Sequence, residues 1–389
     1  MSASRRWRNL GVAAAATTAV LFAIFDLYQW ALAYAGDRFH NDFTFYVAAA
    51  KIGVTHGWSS IYDLSLQQAQ LDAMGSRITI AELARYISPP PVAWLALPFT
   101  ALPYEAGYWI WSALLLAALV ATWWLAAPGA SRARLIFLAA AIGWLPVIYG
   151  LQLGQPGLFV ALGVAGSYVL LKANRPLWAG IALGALALKP QLAFLVPAAL
   201  LLARHDRAFA GSVLSLGLLA GLSAIALGAG GLADYQARLS FAAGVPVNRE
   251  LTLAYFLGAG AVTRVVQIAI GLWSLLLAYR TRGRGVEWLY ACALVGGMLA
   301  TPYMHLDDLA MLGLAAWLLL RSESSAVMGL YALAAVLAIE GEPIWGPAPV
   351  VLAELGALGL LSVAAFRREP APALPRPRPA PSPHPTTLR

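Results

Sequence analysis

The chain has 389 residues, of which 60% are hydrophobic and 11% charged, with a net charge of +8. Soluble globular domains run nearer half apolar and a quarter charged, so too few charges are present to cover a water-facing surface. The composition points instead to an all-α polytopic membrane protein, and the alternating pattern of a β-barrel is absent. One cysteine, Cys292, excludes an intrachain disulfide and a cysteine-based metal site, and its apolar surroundings suit a small buried thiol.

The first apolar run covers 10–34 and is long enough to cross a bilayer, which takes about 20 apolar residues per helix. The small residues of "ALAYAG" also suit a signal-peptide cleavage site, but the length of the run favours a retained anchor. A long polar stretch, 35–90, follows. It holds Asp37, His40, Asn41, Asp42, Lys51, His56, Tyr62 and Asp63. Within it Phe43, Tyr46 and Val47 recur at helical spacing, which predicts an amphipathic helix lying on the membrane surface. Asp42 is placed either as the N-cap of that helix or as a functional carboxylate. The "PPPVAWLALPFTALP" segment reads as re-entrant or interfacial, because a full crossing there would invert every later loop.

Further spans are expected at 106–127, 134–150, 157–172, 176–189, 191–204, 208–229, 261–279, 286–302, 305–320, 325–340 and 347–366. With the first, that makes about twelve crossings if the basic clusters all face the cytoplasm. Those clusters are "SRRWR", "SRAR", "KANR", "ARHDR", "YRTRGRG", "RSESS" and "FRRE", each between apolar runs. They account for the net charge without a nucleic-acid partner. Residues 1–368 read as one integral-membrane domain. The Pro-rich end, 369–389, reads as a disordered cytoplasmic tail with polyproline II character.

With the arginines inside, the unusual polar residues collect on the other side. Beside the 35–90 loop they are "GLQLGQPG" with Gln152 and Gln155, "LKPQ" with Lys189 and Gln191, "DYQARLSFAAGVPVNRE", and "TPYMHLDDL" with Tyr303, His305, Asp307 and Asp308. Each has a plainer reading. Lys189 can snorkel to the interface, Tyr303 can anchor there, and His305 can be a satisfied loop histidine. Asp307 and Asp308 are adjacent and so are expected on different faces, one of them structural. Ionisable residues at membrane depth are costly and usually face a cavity, which favours a buried role for Lys189. No zinc-site spacing, Walker loop or G-x-G-x-x-G element is present, so no phosphate-loop nucleotide is expected; no cofactor or metal is required if protein cations serve, although Asp307 and Asp308 leave a divalent metal open.

Four segments, in order, resemble glycosyltransferase family 87. They are "DFTFYVAAAKIGVTHGWSSIYD" (42–63), "YISPPPVAWLALPFTALPYEAGYWIW" (86–111), the Gly-Gln and Lys-Pro-Gln segments within 154–203, and "TPYMHLDDLAML" (301–312). One departure is Pro156, which follows Gln155 where many members have Asn. The family contains bacterial polyprenyl-phosphate-mannose-dependent mannosyltransferases of the GT-C superfamily. The resemblance implies a GT-C fold with a large first extracytoplasmic loop carrying juxtamembrane helices. It also implies an outer-face active site in the bacterial plasma membrane, a polyprenyl-phosphate sugar donor, and inverting transfer to a lipid or glycan acceptor. The position matching the family's acidic base is Asp42. Lys189, with His305, is expected at the donor phosphate. Asn41, Tyr46, Tyr86, Gln155, Gln191, Tyr303 and Asp308 are expected to contact substrate. The readings from other classes are a transporter or lipid flippase, suggested by the short Gly/Pro-interrupted helices around Lys189, and a polyprenyl-diphosphate-dependent ligase.

Overall fold

The structure is a computed structural model describing residues 3–81, 85–129, 132–323 and 325–367. The expected tail, 369–389, lies outside the described residues. Those residues form helices and connections, with no strand among them. The chain begins with α1 (Ala3–Gly36), α2 (Asp42–His56), α3 (Leu64–Ala73) and α4 (Pro90–Ala96). It continues through α5 (Tyr104–Ala126), α6 (Arg132–Ile142), α7 (Leu145–Leu153) and α8 (Gly157–Lys172). Next are α9 (Pro176–Ala182), α10 (Leu195–Leu202), α11 (Asp206–Gly244), α12 (Ala254–Leu257) and α13 (Ala261–Arg280). The last are α14 (Val286–Ala300), α15 (Ala310–Ser322), α16 (Ala326–Glu340), α17 (Glu342–Trp345) and α18 (Ala348–Phe366).

Five described helices are long and apolar enough to cross a membrane: Leu10–Gly36, Tyr104–Ala126, Asp206–Gly244, Ala261–Thr281 and Ala348–Phe366. A sixth span arises if α6 and α7, bent by 55° at their junction, count as one. The other expected crossings coincide with helices that are shorter. α8 has 16 residues, α14 and α16 have 15 each, and α15 has 13. At about 1.5 Å per residue these fall short of a hydrocarbon core of about 30 Å. The Pro-rich segment at 89–103 forms only the seven residues of α4 and a short 3-10 turn, Leu97–Ala101, packed on α2.

The prediction for α2 needs correction. Phe43 through Ala50, together with Ile52 and Gly53, are all buried, so α2 is enclosed by protein and is not a surface-lying amphipathic helix. Its aromatic residues pack on α5 and on the turn after α4. Phe43 makes ring contacts with Phe99, Tyr104, Tyr108 and Trp111. The helical spacing of these aromatics served a protein core, and nothing in it distinguishes that core from a lipid surface.

The two ends of the bundle differ in chemistry. At one end the side chain of Lys172, last in α8, meets Glu287 in the first turn of α14 at 2.6 Å. Arg280, last in α13, stacks on Phe366, last in α18, and Arg321 in the last turn of α15 donates to the Leu125 carbonyl of α5. The opposite ends of α8, α14 and α15 converge on the polar segments from Gln155, Thr301 and His305. The basic connections and the polar site residues therefore stand at opposite ends.

Two glycine features shape the site. Gly180 of α9 and Gly211 of α11 sit against each other's backbone. A Cβ on Gly180 would lie 1.9 Å from the Ala208 carbonyl oxygen, and one on Gly211 would lie 2.3 Å from that of Leu177. This close crossing carries the chain from α9 into the Lys189 turn. Further along, α11 is interrupted at Gly228, with φ 61° and ψ −172°, a conformation essentially reserved for glycine. Beyond the break Tyr235 stacks on Tyr62, and Gly231 lies close to the backbone of Ser59.

Candidate active site

The site is a cavity of about 680 Å³ at the end of the bundle away from the arginine clusters. Asn41, Asp42, Tyr46, Tyr86, Gln155, Lys189, Gln191, Tyr303 and His305 all line it. Segments more than two hundred residues apart thus meet, as the sequence led us to expect.

Asp42 is the first residue of α2 and is not its cap. The cap is Asn41, whose side chain accepts from the Thr44 N–H at 3.2 Å and donates to the Arg38 carbonyl at 2.8 Å. Tyr104 also donates to Asn41, at 3.1 Å. The carboxyl of Asp42 is therefore free of capping duty. It accepts a hydrogen bond from the Gln155 side-chain amide. Tyr46, one turn along α2, donates to the other end of that amide at 3.4 Å. Gln155 is held in place by Gly154, which adopts a left-handed conformation at the end of α7, φ +72°. A side chain there would press on Phe43 and Trp111, and Trp111 donates to the Gly154 carbonyl at 2.8 Å. Burial raises the pKa of Asp42 to about 7, reinforced by the Asp307 carboxylate and opposed by Lys189 and the Gln155 hydrogen bond.

Lys189 is not a lone cation. Its ammonium meets Asp307 at 2.5 Å and also contacts Asp308, and all three side chains are buried. Burial works against its charge, but the two carboxylates outweigh that and hold its pKa above the usual value. Asp307 and Asp308 occupy a 3-10 turn, Leu306–Leu309, and both reach the same ammonium. Neighbours in such a turn still diverge around its axis, but both carboxylates reach the one buried ammonium, so their divergence does not give them separate partners. Asp308 also accepts the His305 backbone N–H at 3.0 Å and is absent from the cavity wall, so it braces the turn where a substrate contact was expected. One oxygen of Asp307 remains buried without a hydrogen-bond partner.

His305 lines the cavity, and its Nε2 is 2.6 Å from the Asn248 side-chain oxygen. Asn248 is fully buried, and its amide nitrogen donates to the Ala242 carbonyl at 2.7 Å, so its oxygen faces the imidazole. Nε2 is then the protonated nitrogen of a neutral ring. Burial lowers the His305 pKa to about 4, which keeps the ring uncharged at neutral pH. Tyr86 donates to the Pro89 carbonyl at 2.8 Å and stacks on Tyr62.

Sequence reasoning missed Tyr149 and Tyr235 in the cavity wall and Asn248 behind His305, and expected an outer arginine near the donor phosphate without singling out Arg85. Arg85 lines the cavity with its guanidinium 4.0 Å from the centre of the Phe241 ring. Tyr235 and Asn248 lie in a segment that had been singled out only as a whole. No group of three or more His, Cys, Asp or Glu among the described residues is placed to hold a metal ion.

A family model for glycosyltransferase family 87 matches residues 86–339. The chain belongs to glycosyltransferase family 87. This family membership, with the apolar helices, makes the protein a membrane glycosyltransferase. The matched region contains Gln155, Lys189, Asp307 and His305, while Asp42 and α2 precede it. No match to the chain was found among curated proteins or solved structures.

Proposed function

We propose that the protein transfers a sugar, most simply mannose, from a polyprenyl-phosphate donor to a hydroxyl of a lipid or glycan acceptor. The transfer takes place at the extracytoplasmic face of a bacterial plasma membrane, in a chain with about twelve crossings. The observation that carries this reading is Asp42, a cavity-lining carboxyl that is not used as a cap and whose pKa lies at about 7. A base with a pKa near the working pH combines availability with driving force.

The acceptor oxygen forms its bond to the anomeric carbon while Asp42 takes the hydroxyl proton. The bond from that carbon to the phosphate oxygen breaks with its electron pair, and single displacement inverts the centre. Gln155 aims the carboxylate, and Tyr46 holds Gln155. Asn41, Tyr86, Gln191 and Tyr303 offer polar groups to sugar hydroxyls. For the leaving phosphate, two of the three ammonium hydrogens of Lys189 face Asp307 and Asp308, leaving one for the donor. Arg85 supplies a second cation on the same wall. His305, being neutral, contributes polarity and no charge.

The test is transfer of radiolabelled sugar from polyprenyl-phosphate mannose, in purified protein, to a membrane lipid extract. Labelled product that requires the intact chain supports the reading. Transfer from a polyprenyl diphosphate donor alone, or donor movement across vesicles without transfer, would replace it with the ligase or flippase reading.

A further inference from the structure

Tyr149, which no sequence signal singled out, stands on the wall of the active-site cavity. It lies on α7, the short helix that joins the two halves of the site. Gly150, the next residue, abuts the Leu306–Leu309 turn, where an added Cβ would lie 3.2 Å from that of Asp307. The far end of the same helix is capped by Gly154 and followed by the Gln155 that holds Asp42. Tyr149 and Leu153, one turn apart on one face of α7, both line the cavity. The residues around them, Val147, Ile148, Gly150 and Leu151, are buried in the bundle.

The polar groups of the wall differ in whether the protein already engages them. Gln155 is engaged by Asp42 and Tyr46, Tyr86 by the Pro89 carbonyl, and His305 by Asn248. Tyr149 is half-buried, and its hydroxyl has no hydrogen-bond partner among the described residues. The charged groups that act on that hydroxyl are Asp307 first, then Asp42, Glu342 and Lys189. Asp307 and Asp308 stand behind the wall, held by the Lys189 ammonium and absent from the cavity surface. This part of the wall therefore shows the cavity the remaining N–H of Lys189 and the O–H of Tyr149. Both are donors, which suit an oxygen bearing negative charge. The two carboxylates already offset the charge of Lys189, so a phosphate there needs directed hydrogen bonds as well as Coulomb attraction. A phenol, protonated at neutral pH, provides one without adding a buried charge.

We propose that the Tyr149 hydroxyl donates to a phosphate oxygen of the polyprenyl-phosphate donor, beside the remaining N–H of Lys189. This assignment rests on the transferase reading above and adds a second phosphate-binding side chain to it. As the bond from the anomeric carbon to the phosphate oxygen breaks, its electron pair goes to the phosphate. The hydrogen bond from Tyr149 strengthens with that charge. The phenol keeps its proton throughout, and the acceptor proton goes to Asp42.

Binding of sugar-free polyprenyl phosphate and of uncharged polyprenol to the full chain in detergent tests this without requiring transfer. The wild-type chain should prefer the phosphate. Tyr149→Phe should weaken phosphate binding at least about tenfold, in the range of a hydrogen bond to a charged group, and leave polyprenol binding unchanged. Its melting temperature should match the wild type, because no described residue loses a partner. 3-Fluorotyrosine at position 149 keeps the ring and makes the phenol a stronger donor, so phosphate binding should tighten. In sugar transfer, Tyr149→Phe should lower kcat as well as raise KM, since the bond is stronger in the transition state. Unchanged phosphate binding in both altered chains overturns the proposal and leaves the transferase reading standing. Equal weakening of both lipids in Tyr149→Phe also overturns it, since the hydroxyl would then shape the cavity and not hold the phosphate. A wild-type chain that binds the two lipids equally and transfers no sugar overturns the transferase reading itself, and this assignment with it.

Discussion

At the scale of single residues, the structure separates two roles that a polar residue at a helix start can have. Asn41 caps α2, so Asp42→Asn leaves the cap in place. We expect this variant to fold in normal amount and to lose transfer by at least about 100-fold, as removal of a general base does; full activity would dismiss Asp42. The carboxylate form of Asp42 grows as pH rises through about 7, so transfer should climb over that interval and level off above it. Stability runs the other way. The folded pKa lies above the unfolded value near 3.8, so the stabilisation from the protonated carboxyl is complete below 3.8 and lost as pH rises through about 7. Asp42→Asn should lack that decline in a pH series of melting temperatures. Lys189→Gln leaves two buried carboxylates with no cation and is expected to cost about 3–5 kcal/mol. Adding Asp307→Asn and Asp308→Asn should recover most of the lost melting temperature, and failure to recover would mean that Lys189 stabilises by something other than charge. The sequence pointed to Lys189 and to Asp42, because a charge in so apolar a chain stands out. It did not reveal the carboxylates around Lys189 as its partners, because 118 residues separate Lys189 from Asp307 and only tertiary packing joins them.

At the scale of elements, most expected spans coincide with a helix, because long uncharged runs between basic clusters leave the backbone few alternatives in a bilayer. What the runs did not disclose is how they are broken. α9 gives way to a 3-10 turn, Leu183–Ala187, and Lys189 follows in non-helical backbone. The two-residue joint between α6 and α7 leaves the Leu145 N–H to be met by the Glu340 carboxylate at 2.9 Å. α2 was misjudged for a related reason, since a period of apolar residues says that a face is buried and not what buries it. Gly180→Leu should force α9 away from α11 and carry the Lys189 turn with it. We expect less folded protein and a lower melting temperature, beyond the range of ordinary surface substitutions, which stay within about 0.5 kcal/mol. Normal melting of Gly180→Leu would show that the close crossing is not needed.

At the scale of the whole molecule, the separation of basic connections from the polar cavity makes orientation testable. In a Cys292→Ala background, a cysteine at His56 should react with an impermeant reagent from outside intact cells. One at Arg207 should react only after the cells are opened. The reverse pattern would turn the site to the cytoplasm and remove the basis for an extracytoplasmic transferase. The family was open to a reader of the chain alone. The aromatic wall that Tyr235 builds on Tyr62 follows a break at one glycine whose conformation no composition discloses. That glycine has a mechanical consequence. In an unbroken helix, adding one residue to the membrane-crossing part of α11 would turn everything beyond it by about 100°, and Tyr235 would swing away from Tyr62. The interruption at Gly228 uncouples the helical phase of the segment that carries Tyr235 from that of the membrane-length segment before it.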